Sequence, residues 1–402
     1  MSDADLLFEG LKVLDVGTWI AGPVAATMLA DFGAEVTKIE LPGRGDGYRH
    51  YAHTPGIPDA GEVNYTWLMD ARNKRSLTLN LKDPRGKAIL EKLIEDCDVY
   101  VTNQPQSLRR SLGLTYEELA ALNPRMIYAS LTAYGETGPE RDREGFDLVA
   151  YWARSGLMDM VRQPGATPNQ SLPGMGDHPT AVALYASIVT ALLRRERTGK
   201  GSKVHTSLIG NGLWAASCLA QAQLAGADFS LWHKGRGPTR VLYEAEDGRW
   251  LQFSMVRTRS EISGMLGVLG LADMIDDERF ATPAARIENG PIMVERMTAS
   301  IAQRRGVEWL AAFEAADVPA ALVATLEDLD SDPQLLANGI LMQPEHEAIP
   351  LPWMIDHPVN VDTLPRATIH PAPDLGEHTD TILAELGYDA AERSTLRTDG
   401  VI

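Results

Sequence analysis

"LKVLDVGTWIAGPVAATMLADFGAEVTKIE", from Leu11 to Glu40, reads as a strand, a helix and a second strand. The run Leu11–Gly17 is short, apolar and closed by glycine, the pattern of a buried strand. Gly22 and Pro23 can open a helix, since the N–H that proline lacks has no partner in a first turn. Gly33 is placed to end it, because glycine enters the left-handed conformation beyond a helix without strain. Glu35–Glu40 supplies the second strand. Two strands joined by a helix within about thirty residues form a βαβ unit, and so the start of a parallel sheet.

The same rhythm continues along the chain. Ser76–Leu81 reads as a strand, and Lys82–Cys97 as a helix with Asp83 as its cap and Pro84 at its first position. Asp98–Asn103 is a strand, Thr115 and Glu118 form a capping box at the head of a helix, and Met126–Leu131 is a strand again. Helices are expected near Phe146–Met158, Pro179–Arg197 and Leu208–Leu224. The fold class is therefore α/β, with a Rossmann-like parallel sheet. From Val241 the texture changes. Two strands flank an Asp247-Gly248 turn over Val241–Met255, and helical stretches follow near Arg259–Leu269, Met293–Arg304 and Val307–Ala316. We expect residues 1–225 to form the first part of a large Rossmann-like domain and 226–322 a smaller α+β domain. Residues 323–402 should return to the large domain, with "AALVATLEDL" and "LGEHTDTILAELGY" reading as strand and helix.

The 402 residues carry 55 acidic and 37 basic side chains, a net charge of -18. Such a surface repels nucleic acid and anionic lipid, so neither is expected as a partner. An anionic small ligand would need a local basic pocket. Cys97 and Cys218 are the only cysteines and give neither a disulfide framework nor a zinc pattern. No metal site is expected. The first residues lack the basic and apolar regions of a signal peptide, and no apolar run reaches the ~20 residues that span a bilayer. The expected location is the cytoplasm.

Several familiar chemistries are missing. The first strand leads into "DVGTWIAGP", not G-x-G-x-x-G, and there is no P-loop, no H-E-x-x-H and no G-x-S-x-G. Two stretches remain. "DARNKRSLTLNLKDPRGK" (Asp70–Lys87) holds Arg72, Lys74, Arg75, Lys82, Arg85 and Lys87 in an otherwise acidic chain. These cations form either a phosphate site or a solvated loop and strand edge. "GMGDHPTAVALYASIVTALL" (Gly174–Leu193) is a glycine-flanked aspartate before a long uncharged helix. By local rules Asp177 is its N-cap. Gly174 and Gly176 would also let a ligand approach closely, with a free N–H as oxyanion donor.

In ordered blocks the chain resembles the family III CoA-transferases, the group of formyl-CoA, crotonobetainyl-CoA and benzylsuccinate CoA-transferases. The blocks are "FEGLKVLDVGTWIAGPVAATMLADFGAEVTKIE", "RNKRSLTLNLKDPRGK", "GLTYEELAALNPRMIYASLTAYGETGP", "GFDLVAYWARSGLM", the stretch from Gly174 to Leu208, and "LGEHTDTILAELGY". The resemblance implies that Asp177 is a nucleophile, which attacks an acyl-CoA thioester and passes through mixed-anhydride and aspartyl-CoA intermediates to a carboxylic acid acceptor. It also implies an ionised Asp177, which a helix N-terminus favours. Coenzyme A enters as substrate, with no permanently bound cofactor. Lys74, flanked by Arg72 and Arg75, matches a position near CoA phosphates. Asn103, Ala21 and Ile20 match the CoA site. Tyr134, Trp19 and His178 are assigned to the substrate pocket. A homodimer of interlocked chains is implied, with a heteromer as the alternative.

The resemblance extends to α-methylacyl-CoA racemases, whose histidine base falls on Phe146, a side chain that accepts no proton. Transferase is therefore preferred, with a racemase or a non-catalytic CoA-binding subunit as alternatives. The glycine-rich loop of formyl-CoA transferases is not evident near Met255–Met265, which argues against formyl-CoA:oxalate specificity. Trp19, Trp67 and Trp152 would suit a bulky acid, and Arg49, Arg72 or Arg154 a second carboxylate.

Overall fold

β1 (Lys12–Asp15), α1 (Ala21–Asp31) and β2 (Glu35–Glu40) form the expected βαβ unit, with β1 and β2 paired in parallel. The computed structural model describes residues 6–163, 165–230, 237–254, 256 and 258–402. α2 (Tyr65–Asp70) leads to β3 (Lys74–Thr78), which starts two residues before the strand expected at Ser76. α3 (Pro84–Glu95) takes Asp83 as N-cap, and β4 (Val99–Thr102) follows. α4 (Gln106–Leu112) and α5 (Tyr116–Leu122) precede β5 (Ile127–Thr132), and α5 begins with the Thr115–Glu118 capping box. The helix expected over Phe146–Met158 is instead a π-helical turn, Leu148–Ala153, and a short α6 (Leu157–Met160). α7 (Asp177–Thr198) runs for 22 residues into β6 (Ser202–Ser207). The stretch Leu208–Leu224 is broken at Ala216 into α8 (Leu208–Ala215) and α9 (Ser217–Leu224).

The six strands are parallel and ordered β3-β2-β1-β4-β5-β6. Successive side chains of a strand point to opposite faces, and both faces here are buried. Val13, Val99, Val101, Ile127 and Ala129 join one core with α1 and α7. Leu14, Tyr100 and Tyr128 join the other, with Ile89 and Leu90 of α3. All 11 residues of α1 are buried, so this helix has no solvent face. Its glycine and alanines let it lie close to the sheet and to α7.

The chain divides into two compact units. The first contains residues 1–162, 167–220 and 336–402, and the second residues 163–166 and 221–335. In the second, β7 (Leu242–Glu244), β8 (Trp250–Phe253) and β9 (Ala320–Leu322) form an antiparallel sheet in the order β7-β8-β9. The hairpin turns through Gly248, whose φ is 76°, as the Asp247-Gly248 pair implied. Met255, the expected end of that hairpin, lies outside the described residues. The helices Arg259–Val268, Gly290–Ile301 and Gly306–Ala315 bury Met265, Met293, Met297, Trp309 and Phe313 against one another. Only Ala320–Leu322 of "AALVATLEDL" is a strand, and it pairs with β8. In the first unit the C-terminal segment is tied to β3 by His378 N–H to Ser76 O at 3.0 Å and Gly376 N–H to Ser76 Oγ at 2.9 Å.

Candidate active site

The strand order changes direction between β1 and β4. In an open parallel sheet the carboxyl ends of the strands at such a point leave a crevice for ligands. A cleft of about 270 Å³ lies there. Thr18, Trp19, Ile20 and Ala21 line it after β1, Asn103 and Pro105 after β4, Leu131 to Ala133 at the end of β5, and Asp177 at the start of α7. The loop after β1 is held in a costly shape. Trp19 has φ 65°, unusual for a residue with a side chain. Its N–H lies 3.0 and 3.1 Å from the two carboxylate oxygens of Asp46, which itself pairs with Lys38 at 2.9 Å. Asn103 clamps the residue before it, accepting from Thr18 N–H at 2.9 Å and donating to Thr18 O at 2.7 Å.

Asp177 is not the N-cap that its sequence context implied. The cap position is Gly176, and Asp177 is the first helical residue. The carboxylate at this helix start comes from Asp147, which accepts the Gly176 N–H at 3.2 Å. Only glycine fits at 176: a Cβ there would lie 2.6 Å from Tyr151 Cγ and 3.0 Å from Asp147 Cβ. Gly174 takes φ 83° to make the turn. Its carbonyl accepts from Asp177 N–H at 3.1 Å and from His178 N–H at 3.2 Å, and Thr180 N–H reaches Gly176 O at 3.3 Å. Residue 179 is proline, so no N–H of this first turn remains free as the oxyanion donor that the glycines suggested.

That geometry governs the acidity of Asp177. Among the described residues, no hydrogen bond or ion pair reaches its carboxylate. Burial, and then the negative charge of Asp147, push its pKa up to about 7, against the pull of His178. The helix N-terminus thus does not hold Asp177 at an ordinary carboxylate acidity, because the N–H groups that would favour the anion already have acceptors. A helix start contributes typically ~0.3–1 kcal/mol, less than burial and a like charge impose here.

The six-cation stretch does not face the cleft. Lys74 is fully buried, donating to Asp15 at 2.9 Å and to Pro23 O at 2.7 Å. Arg72 is buried against Asp31 at 2.6 Å. Arg75 pairs with Glu385, Arg85 with Asp83 and Asp399, and Lys87 with Glu91. Arg72 and Lys74, expected near CoA phosphates, are committed to carboxylates of the fold, and Arg75 pairs with Glu385 at the surface. The cations that line the cleft are Arg141 and Arg143, which pair at the surface with Asp142 and Glu140 and keep side chains 55% and 57% exposed. Nothing in the sequence singles them out, because "ERDRE" reads as a solvated loop.

Of the substrate-pocket residues, Trp19 lines the cleft and meets Phe146 edge-on at 5.4 Å. Tyr134 is not among the lining residues, and the guanidinium of Arg143, which is, sits over its ring at 5.2 Å. His178 faces a second cavity, of about 250 Å³, beside Asp70 and Arg72. Trp67 is core, and Arg49 is engaged with Glu40 at 2.7 Å. Arg154 pairs with Glu140 at 3.0 Å. Asp31, Asp356 and His357 cluster as metal ligands could. However, Arg72 and Arg366 already neutralise the two carboxylates, at 2.6 and 2.8 Å, so the cluster offers a cation no net negative charge.

A model of CoA-transferase family III matches residues 8–379. The chain belongs to CoA-transferase family III. The (R)-2-hydroxy-4-methylpentanoate CoA-transferase of Clostridioides difficile is 30% identical over 99% of this chain and 100% of its own length. The succinyl-CoA:glutarate CoA-transferase of Mus musculus is 33% identical over 100% of this chain and 92% of its own. A crystal structure of a CAIB/BAIF family protein from Brucella suis has a TM-score of 0.81 at 28% identity, covering 95% of this chain and 100% of that one. This family III chain is therefore an enzyme that transfers CoA, on the α/β fold that its sequence implied. No helix of the described residues is long and apolar enough to cross a membrane.

Proposed function

We propose that this family III enzyme moves CoA from an acyl-CoA thioester to a free carboxylic acid, with Asp177 as nucleophile. The observation that carries this is an unpartnered carboxylate at the wall of the switch-point cleft, raised to about 7. The Asp177 carboxylate attacks the thioester carbonyl, the C–S bond breaks, and CoA leaves as thiolate. The resulting mixed anhydride is attacked by that thiolate at the aspartyl carbonyl, which expels the donor as its carboxylate. The acceptor carboxylate then attacks the aspartyl thioester carbonyl, the C–S bond breaks to release CoA thiolate again, and a second anhydride forms. Thiolate attack on the acceptor carbonyl restores Asp177. No electrons are exchanged and no proton is consumed. Trp19, Ile20, Leu131 and Phe146 supply apolar wall, which limits water near the anhydrides. Arg141 and Arg143, on the cleft wall, exchange their surface partners Asp142 and Glu140 for anionic parts of the ligand. Asn103, Ile20 and Ala21 shape the CoA side of the cleft.

We also propose a homodimer, which the exposed Leu172, Leu213 and Trp214 of the first unit would suit. Light scattering of the purified protein tests it. For the chemistry, the enzyme is mixed with acetyl-CoA, succinyl-CoA or 2-hydroxy-4-methylpentanoyl-CoA, quenched with hydroxylamine, and mapped by mass spectrometry. A hydroxamate on Asp177 is expected. Modification elsewhere, or none with any donor, overturns the mechanism. The racemase alternative is disfavoured by Phe146, which is 56% exposed on the cleft wall and has no basic atom. Rapid α-proton exchange of 2-methylacyl-CoA in D₂O without CoA transfer would reverse that ranking.

A further inference from the structure

The residue after Asp177 has no part in the transfer chemistry, yet it is firmly held. Both ring nitrogens of His178 face acceptors. Nδ1 is 3.1 Å from the Gly174 carbonyl oxygen, and Nε2 is 3.2 Å from Asp70 Oδ1. A carbonyl oxygen only accepts, so Nδ1 carries a hydrogen. Asp70, buried at the end of α2, already accepts the Tyr48 hydroxyl on Oδ2 at 2.6 Å. A ring that donates from both nitrogens, one to a buried carboxylate, is an imidazolium.

We propose that His178, clamped between Asp70 and the Gly174 carbonyl, is a positioning residue whose positive charge at neutral pH sets how much of the neighbouring Asp177 carboxyl is ionised. This role rests on Asp177 being the nucleophile. The groups around the pair support it. Asp147, from the π-helical turn, and Asp70, from α2, both oppose ionisation of Asp177, while His178 favours it. On the second cavity, Arg72 is engaged with Asp31, and Asp356 with Arg366. Burial, and then the charge of Arg366, push the His357 pKa below its ordinary value, against the pull of Asp31. For His178 itself, burial is the largest influence and works against the charge, but the hydrogen bond and negative charge of Asp70, the Gly174 carbonyl and the Asp177 charge together outweigh it and lift the ring to about 9. The charge therefore persists through neutral pH.

The test uses the full-length protein and needs no known substrate. The melting temperature of a protein minus that of its D177N partner, followed against pH, titrates Asp177. This difference is measured in wild type, H178Q and H178K backgrounds. The upper end of that change, near 7 where the folded carboxyl titrates, should rise by about one pH unit or more in H178Q, the usual scale for losing a neighbouring opposite charge. H178K should return it towards wild type. Hydroxamate formation from succinyl-CoA gives a second readout. H178Q should lose about fivefold or more at pH 7 and recover at pH 9, as an Asp177 pKa displaced upward from about 7 by about one unit or more implies. An unmoved upper end in H178Q, or an equal loss at every pH, overturns the proposal. If the upper end moves as expected but no donor labels wild-type Asp177, the charge coupling stands and the nucleophile assignment fails.

Discussion

Replacing Lys74 by methionine separates a structural ammonium from a ligand-binding one. Lys74, Lys38 and Asp15 have no exposed side-chain surface, and Asp15 lies 2.9 Å from Lys74 and 3.6 Å from Lys38. Burial alone would raise Asp15, but the two ammonium groups outweigh it and hold the carboxyl below its usual range. Removing one partner of a buried pair typically costs about 3–5 kcal/mol. K74M belongs at the low end, because Asp15 keeps Lys38 and the Gly17 N–H at 3.1 Å. D15N belongs at the high end. It leaves Lys74 with only a carbonyl, while Lys38 retains Asp46 at 2.9 Å. For 402 residues the unfolding entropy is about 0.8 kcal/mol/K, so the melting temperature should fall by about 4 °C in K74M and about 6 °C in D15N. The K74M/D15N double variant should lose less than the sum. Calorimetry measures the melts, and titration calorimetry on folded K74M at about 15 °C measures CoA binding, with Kd expected within about threefold of wild type. An unchanged melting temperature together with a tenfold or greater loss of CoA affinity would refute the structural role and return Lys74 to the ligand.

Three further outcomes follow from the cleft. Asp177 binds its proton more tightly folded than unfolded, so its ionisation destabilises the fold as pH rises from about 4 through about 7. D177N should match wild type near pH 4 and gain up to about 4 kcal/mol by pH 8, read as the pH dependence of the melting-temperature difference. G176A places a Cβ 2.6 Å from the Tyr151 ring carbon and should cost about 1–3 kcal/mol in urea melts while depressing transfer, because the start of α7 must shift. R141Q/R143Q should raise KM for the acyl-CoA about tenfold or more and leave kcat within about threefold, with a shallower salt dependence than wild type.

The elements that sequence resolved are those whose causes are local. Asp83 caps the helix beside it, Thr115 and Glu118 close a box three residues apart, and Val99, Tyr100 and Val101 alternate between two buried faces. The candidate site was legible only through Asp177 and the residues beside β1 and β4. The errors there have long-range causes. Asp177 resembles a cap because the carboxylate that serves that helix start, Asp147, is 29 residues away. Lys74 resembles a phosphate ligand because Asp15 is 59 residues away, on the next strand but one. Arg141 and Arg143 sit in a charged loop with no pattern of its own, and only folding brings it over the mouth of β5. The His178–Asp70 contact spans 108 residues and had no local signal at all.

The environment that raises Asp177 should also determine how much covalent intermediate accumulates. Burial and Asp147 penalise only the charged form of this carboxyl. The proposed aspartyl-CoA thioester is uncharged at that carbon and escapes the penalty. Exchange of CoA between a free acid of ordinary acidity and Asp177 is therefore drawn towards the enzyme thioester by roughly 10²–10³, the factor separating a pKa of about 7 from one near ~4–5. With succinyl-CoA and no acceptor, most of the wild-type enzyme should carry CoA at equilibrium even when free succinate exceeds succinyl-CoA about tenfold. Intact-mass measurement after an acid quench reads that fraction directly. H178Q, which penalises the carboxylate further, should form the thioester more slowly at pH 7 yet hold more of it at equilibrium. A variant that lost occupancy along with rate would show that His178 stabilises the acylated enzyme rather than the free carboxylate, and the charge assignment would have to be abandoned.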